Sequence, residues 1–208
     1  MKVWKFLPLA FAIFISGCAS IADLSAKQEA KASCCKSPAD FKYEPLSPVA
    51  LTPMSLSEDS PVYVFSNGKS YFKAHALPQQ RTATKLRVRS FATGSTAFEP
   101  QKLSQLYCPQ VSFLNSNFET LVSNDKVPSV ARGALATGIL PSFLAEFEIP
   151  TSAVYVVLHT NPAGYGRLAT RYTSGGAYMV GSALVIERGG EPIYHPCGPI
   201  ANAEISLL

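Results

Sequence analysis

The sequence predicts an all-β fold: a β-sandwich or jelly-roll-like single domain with a Pro-rich N-terminal arm and at most one or two short helices. Three observations carry this. Sixteen Pro and 13 Gly are spread through 208 residues, which suits many short strands joined by turns better than long helices. Hydrophobic residues make up 47% and charged residues only 15%, against about 25% charge in typical domains, which excludes a disordered chain and argues against a coiled coil or helical bundle. From Val62 onward, runs of β-branched and aromatic residues with period two recur between turn signals. The length fits one domain.

The chain opens with Lys2 and Lys5, then an apolar run over residues 6–15 (FLPLAFAIFI). That run is too short to span a bilayer and has the form of a secretory signal. It ends in Ile15-Ser16-Gly17-Cys18, which resembles the lipobox of exported bacterial lipoproteins. The resemblance implies cleavage before Cys18, attachment of its thiol to diacylglycerol and acylation of the new amino group; the alternative is an ordinary signal peptide cut after Ala19 or Ala22. Several acyl chains together hold a protein stably on a membrane. Ala19, where inner-membrane lipoproteins often carry Asp, implies by the same resemblance the outer membrane of a Gram-negative bacterium, facing the periplasm. Residues 1–17 are then a signal peptide, 18–36 a lipidated tether with room for a short helix, and 37–208 the folded domain. Without Lys2 and Lys5, 16 basic residues face 14 acidic ones, so the net charge falls from +4 to +2, and Trp4, the single Trp, is lost as well. No Lys/Arg-rich run of the kind that binds nucleic acid occurs, so nucleic acid is not an expected partner.

Residues 37–61 carry Pro38, Pro45, Pro48, Pro53 and Pro61, which forbid long helices and mark extended segments with turns. Phe41, Tyr43 and Leu46 are the residues to dock this arm on the core. Residues 62–65 and 70–77 read as strands around Ser66-Asn67-Gly68-Lys69, and Asn-Gly in that setting is a strong hairpin cue. Residues 85–91 alternate, with Leu86 and Val88 on one face and Lys85, Arg87 and Arg89 on the other. Residues 111–114 form a strand ending at Asn115. In 143–149, Phe143, Ala145, Phe147 and Ile149 share a face opposite Glu146 and Glu148. Residues 154–159 are apolar on both faces, as in a central buried strand. Residues 183–187 and 203–207 complete eight to ten strands, and 129–140 could support one short helix.

Five Cys minus Cys18 leave Cys34, Cys35, Cys108 and Cys197. In an oxidising periplasm these are disulfide candidates, with three connectivities that the sequence does not distinguish. Bonding neighbours requires a strained ring, which favours each of Cys34 and Cys35 pairing at a distance. A metal site from the Cys pair with His195 and Cys197 is disfavoured, because zinc ligands are usually spaced by two to four residues; no cofactor is expected. Catalysis finds no clear constellation. Only His75, His159 and His195 offer a general base, no G-x-S-x-G elbow exists, and His75 and His159 lie in strand-like runs that suit packing. Glu146 and Glu148 read as partners of Lys85, Arg87 and Arg89 across strands, or as a solvated face, rather than as a glycosidase pair. Gly164-Tyr165-Gly166 reads as a turn.

The Gly-rich segment 161–181 concentrates Tyr165, Arg167, Arg171, Tyr172 and Tyr178. Aromatic and Arg side chains on a long surface loop form recognition surfaces, and the equal alternative is a strand pair with buried tyrosines. Pro109-Gln110-Val111-Ser112-Phe113-Leu114-Asn115, Phe147-Glu148-Ile149-Pro150, Tyr155-Val156-Val157-Leu158-His159-Thr160 and Gly176-Ala177-Tyr178, with the early Tyr71-Phe72-Lys73-Ala74 strand, together resemble the maltose operon periplasmic protein (MalM) family over residues 34–208. The resemblance implies a periplasmic, non-enzymatic protein associated with maltose or maltodextrin uptake, partnered by an envelope protein or an oligosaccharide, with no catalytic residues to assign. The lipobox and the four mature cysteines depart from the family pattern. The alternative is a structural envelope lipoprotein that docks an outer-membrane complex without a sugar ligand.

Overall fold

The computed structural model describes residues 20–92, 105–131, 142–172, 176–180, 183–187 and 192–208. Among these residues it holds one α-helix, α1 (Ile21–Ala30), and fifteen strands. The strands are β1 (Tyr43–Pro45), β2 (Thr52–Leu56), β3 (Val62–Phe65), β4 (Gly68–Ala76), β5 (Lys85–Phe91), β6 (Pro109–Leu114), β7 (Thr120–Asp125), β8 (Ser129–Ala131), β9 (Ser142–Glu148), β10 (Tyr155–Thr160), β11 (Leu168–Tyr172), β12 (Gly176–Val180), β13 (Ala183–Glu187), β14 (Pro192–Pro196) and β15 (Ala201–Leu207). The protein is an all-β, sandwich-like single domain.

One sheet runs β1-β4-β10-β6-β7, with β3 also on β4; the other runs β2-β15-β5-β9-β8. Strand alternation places the core between them. Tyr71, Val111, Phe113, Val156 and Leu158 from the first sheet pack with Met54, Leu56, Leu86, Val88, Ala145, Phe147, Ala203 and Ile205 from the second. The outer faces differ. On the second sheet Lys85 pairs with Glu148, Arg87 with Glu146 and Arg89 with Glu204, a half-exposed ladder of the kind the alternation called for. On the first, Phe72, Ala74, Leu114 and Val157 are covered by Phe41 from the Pro-rich arm, so β10 is apolar on both sides because both sides are buried.

The arm docks through Phe41 and Leu46 as expected, and it also supplies edge strands to both sheets, since β1 pairs with β4 and β2 with β15. In the β3–β4 hairpin Phe65 faces Gly68, which leaves Ser66 and Asn67 as the turn, and Gly68 takes φ +121°, a value that disfavours any side chain.

Several expectations are corrected. Residues 21–30, inside the expected tether, form a docked helix with a Ser20/Asp23 capping box; Leu24 and Gln28 are buried. The residues that begin the expected 129–140 helix form β8, paired with β9, and 132–140 lie outside the described residues. The expected eight to ten strands become fifteen because the arm, the 161–181 segment and the short runs Ser129–Ala131 and Pro192–Pro196 add strands, and because β7 is an exposed edge without alternation. The cysteines pair as Cys34–Cys35 and Cys108–Cys197, against the expectation of distant partners for both Cys34 and Cys35. The sandwich brings Cys108, at the start of β6, beside Cys197, at the end of β14, with Cα atoms 5.4 Å apart, inside the bridging range. Cys34 donates its N–H to Val62 on the far edge of β4 instead.

Cys108–Cys197 closes a loop between residues 89 apart, whereas Cys34–Cys35 constrains almost no chain. Replacing Cys108 and Cys197 with Ala is therefore expected to lower unfolding free energy by about 4 kcal/mol in the chain-entropy model, and replacing Cys34 and Cys35 by far less. Denaturant titration of the two double variants measures both.

Candidate functional site

The five residues of the expected recognition loop do not share one loop. Arg171 and Tyr172 are in β11, opposite Ile193 and Pro192 of β14, and Tyr178 is in β12 opposite Val185 of β13. The segment thus contributes strands, as the alternative expected, but β11 and β12 pair with β14 and β13 rather than with each other. Arg167 is half-exposed and holds Asp125 at 2.9 Å. Tyr165 follows a short 3-10 turn, Pro162–Gly164, and faces the body of the domain. Its hydroxyl lies 2.6 Å from Thr160 Oγ1 and 2.9 Å from Gln28 Oε1. Thr160 Oγ1 in turn lies 2.8 Å from Ser70 Oγ. One arrangement of protons satisfies the whole chain: Ser70 donates to Thr160, Thr160 to Tyr165, Tyr165 to Gln28, and the Gln28 amide to the Lys69 carbonyl. Burial pushes the Tyr165 hydroxyl above its ordinary pKa. Cys18 lies outside the described residues.

A second polar chain crosses the first sheet. His159 Nδ1 is 3.1 Å from the Thr160 carbonyl and Nε2 is 3.2 Å from Ser112 Oγ; Ser112 meets Ser123 at 2.8 Å, Gln110 donates to Ser123, and Asn67 donates to Gln110. Ser112 and His159 have the spacing of a nucleophile and a base, but His159 is 1% exposed and its ring stacks on Phe65 at 3.8 Å and 7°. Burial lowers its pKa to about 4, so near neutrality Nδ1–H donates to the carbonyl and Nε2 accepts from Ser112. The imidazole thus acts as a packing and hydrogen-bonding element. His75 is likewise buried in β4, with its pKa lowered by burial against the opposing influence of Glu44, and His195 is buried in β14, edge-on to Phe143.

Beside His159 runs a row of half-buried rings. Tyr43 packs on Tyr155 at 4.3 Å and Tyr155 on Phe118 at 4.9 Å. Phe118 adopts φ +64°, a conformation uncommon outside Gly and Asn. The Asn115 side-chain oxygen fixes it there by accepting from the N–H groups of Asn117 and Glu119.

A site with room for a ligand lies on the opposite edge of β4 from β10. The Phe72 N–H meets the Pro61 carbonyl and the Leu46 N–H meets the Ala76 carbonyl, so β3 and β1 pair end to end along this edge and leave a gap in the strand pairing at Phe72 and Lys73, with Ala74 at its border. A cavity of about 380 Å³ fills that gap, lined also by Cys34, Cys35, Asp40, Lys42, Glu44 and Pro61. Asp40 Oδ2 accepts from the N–H groups of Lys36 and Ser37, which hold its carboxyl below the usual range, and Lys73 reaches Glu44 at 3.5 Å. From sequence, Cys34 and Cys35 are expected only as disulfide or disfavoured metal candidates, and the other lining residues belong to no motif that marks a site.

The disfavoured metal reading is not assembled, since Cys197 is bonded to Cys108 and Cys34 to Cys35. Among the described residues no group of three His, Cys, Asp or Glu side chains is placed to hold a metal ion. Comparison with protein-family models, with curated proteins and with solved structures finds no match.

Burial of neutral His159 gives stability a pH signature. Above about pH 6.5 the ring is neutral in both folded and unfolded chains. As pH falls from 6.5 to about 4 only the unfolded chain gains the proton, so stability drops by about 1.4 kcal/mol per pH unit, about 3 kcal/mol in all, and the loss levels off below that. In His159→Gln this part of the slope is expected to vanish while the contribution of His75 remains. Urea titrations of both proteins between pH 8 and pH 4 check it; equal slopes would contradict a buried neutral ring.

Proposed function

We propose that this chain is a non-enzymatic, lipid-anchored lipoprotein of the outer membrane, facing the periplasm, of the maltose operon protein type, associated with maltose or maltodextrin uptake. The observation that carries the anchored reading is the Ile15-Ser16-Gly17-Cys18 motif after the apolar run, and α1 bears on how closely such an anchor would hold the domain. Its cap, Ser20, is two residues after Cys18, and two residues span at most about 7 Å. A lipid on Cys18 would hold the start of α1, and with it the domain, close to the membrane surface. A β-domain fixed so closely fits an accessory role beside a membrane protein.

Binding is favoured over catalysis by how the candidate groups are used. His159 lies under Phe65, and Glu146 and Glu148 are engaged by Arg87 and Lys85. The carbohydrate part of the reading rests on the MalM resemblance. One observation favours the alternative, a structural lipoprotein docking an outer-membrane complex: among the described residues β11–β14 and β12–β13 are two-stranded ladders, and such ladders offer edges to which a partner strand can add.

Cell fractionation tests the anchor. Unaltered protein is expected in the outer-membrane fraction and Cys18→Ser in the soluble periplasmic fraction, without the mass added by acyl chains. Membrane recovery of the Ser variant would refute the lipid anchor.

A further inference from the structure

We infer that the cavity at the gap between β1 and β3 on β4, walled by the Cys34–Cys35 ring, binds a neutral polyhydroxylated ring, the hexose unit of a saccharide. The inference rests on the proposed carbohydrate association and assigns it a place. The gap lies between the start of β3, where Val62 pairs with Tyr71, and the start of β1, where Tyr43 pairs with Ala74; Pro61, just before β3, has no N–H to extend that ladder, and between these two short strands the edge of β4 at Phe72 and Lys73 lacks a strand partner among the described residues. Bonding of neighbouring cysteines closes a compact ring of backbone and sulfur. Its thioether-like surface offers weak hydrogen bonding at best, so with Pro61, Phe72 and Ala74 it makes an apolar wall.

The rim decides the ligand class. Lys42 and Lys73 face Asp40 and Glu44, so the formal charges cancel and neither an anion nor a cation is favoured overall. Asp40 is committed to backbone N–H groups and Lys73 to Glu44. Lys42 takes part in no ion pair among the described residues and is exposed at the mouth, with three donors available. An apolar wall with a few polar groups at its rim is the general form of a small-molecule site, and about 380 Å³ lies at the small end of the usual range of roughly 300–1,000 Å³. A pyranose matches both parts, with C–H faces for the wall and hydroxyls for the rim.

Titration calorimetry of the detergent-solubilised mature lipoprotein with maltose and maltotriose tests this, with glucose 6-phosphate as a charged comparator. Saturable binding of the neutral sugars is expected. It should weaken roughly tenfold, or about 1.4 kcal/mol, in Lys42→Ala and further in the Cys34→Ser, Cys35→Ser double variant. Lys42 is exposed, so its variant separates ligand contact from folding, and thermal melts monitor both variants. Maltotriose binding unchanged in both variants would overturn the cavity while leaving the carbohydrate reading standing. Tighter binding of the phosphate would overturn the neutral class. No binding by the unaltered protein would overturn both.

Discussion

A buried run of hydrogen bonds, Gln28 to Tyr165 to Thr160 to Ser70, fixes how the pieces of this protein meet. It joins α1, the 161–166 turn, the end of β10 and the start of β4. Removing such polar groups from water is costly unless every one finds a partner, and partial satisfaction is worse than none. The four segments are therefore held in one arrangement. A ten-residue helix is marginal by itself in water, and α1 buries only Leu24 and Gln28; its position depends on this contact more than on apolar area. The reading of the anchor depends on it in turn, because a docked α1 turns a lipid on Cys18 from a leash into a fixed point.

The two sheets solve the covering problem differently. The second sheet leaves one face wet and lines it with opposite charges in register, each half-exposed pair contributing little alone while keeping the face soluble. The central strands of the first sheet are buried on both faces, so the chain must cover them twice: the opposite sheet covers one side, and Phe41 with the Pro-rich arm covers the apolar part of the other. The arm is short and rich in Pro, so β1 and β3 cannot pair along the whole of β4. The cavity at Phe72, Lys73 and Ala74 is what that incomplete cover leaves.

Much of the sandwich was legible because burial imposes its period on the residues. Leu86 and Val88 against Lys85 and Arg87, and Phe143, Ala145 and Phe147 against Glu146 and Glu148, identify β5, β9 and their pairing; β10 shows its double burial as an unbroken apolar run. What the sequence concealed has equally physical reasons. α1 carries no apolar stripe, since one of its two inward residues is Gln28. β7 is an exposed edge with no alternation to read. In the Pro-rich arm, the Pro residues that break helices also mask β1 and β2 as strands. The Cys34–Cys35 pairing and the cavity depend on which segments lie side by side, and residues 34 to 74 reveal that only when folded. Tyr165 and Arg167 drew attention by type, but one is enclosed in the polar chain and the other pairs with Asp125.

The claim on which the rest turns, that residues 21–30 are a docked helix and not a tether, is open to one direct measurement. Native-state hydrogen exchange of the mature protein reads the amides from Leu24 to Ala30. Docking predicts protection approaching that of β4, falling across the whole helix in Tyr165→Phe while β10 stays protected. Exchange of these amides at the rate of an unstructured peptide, in a protein whose β4 is protected, would contradict it.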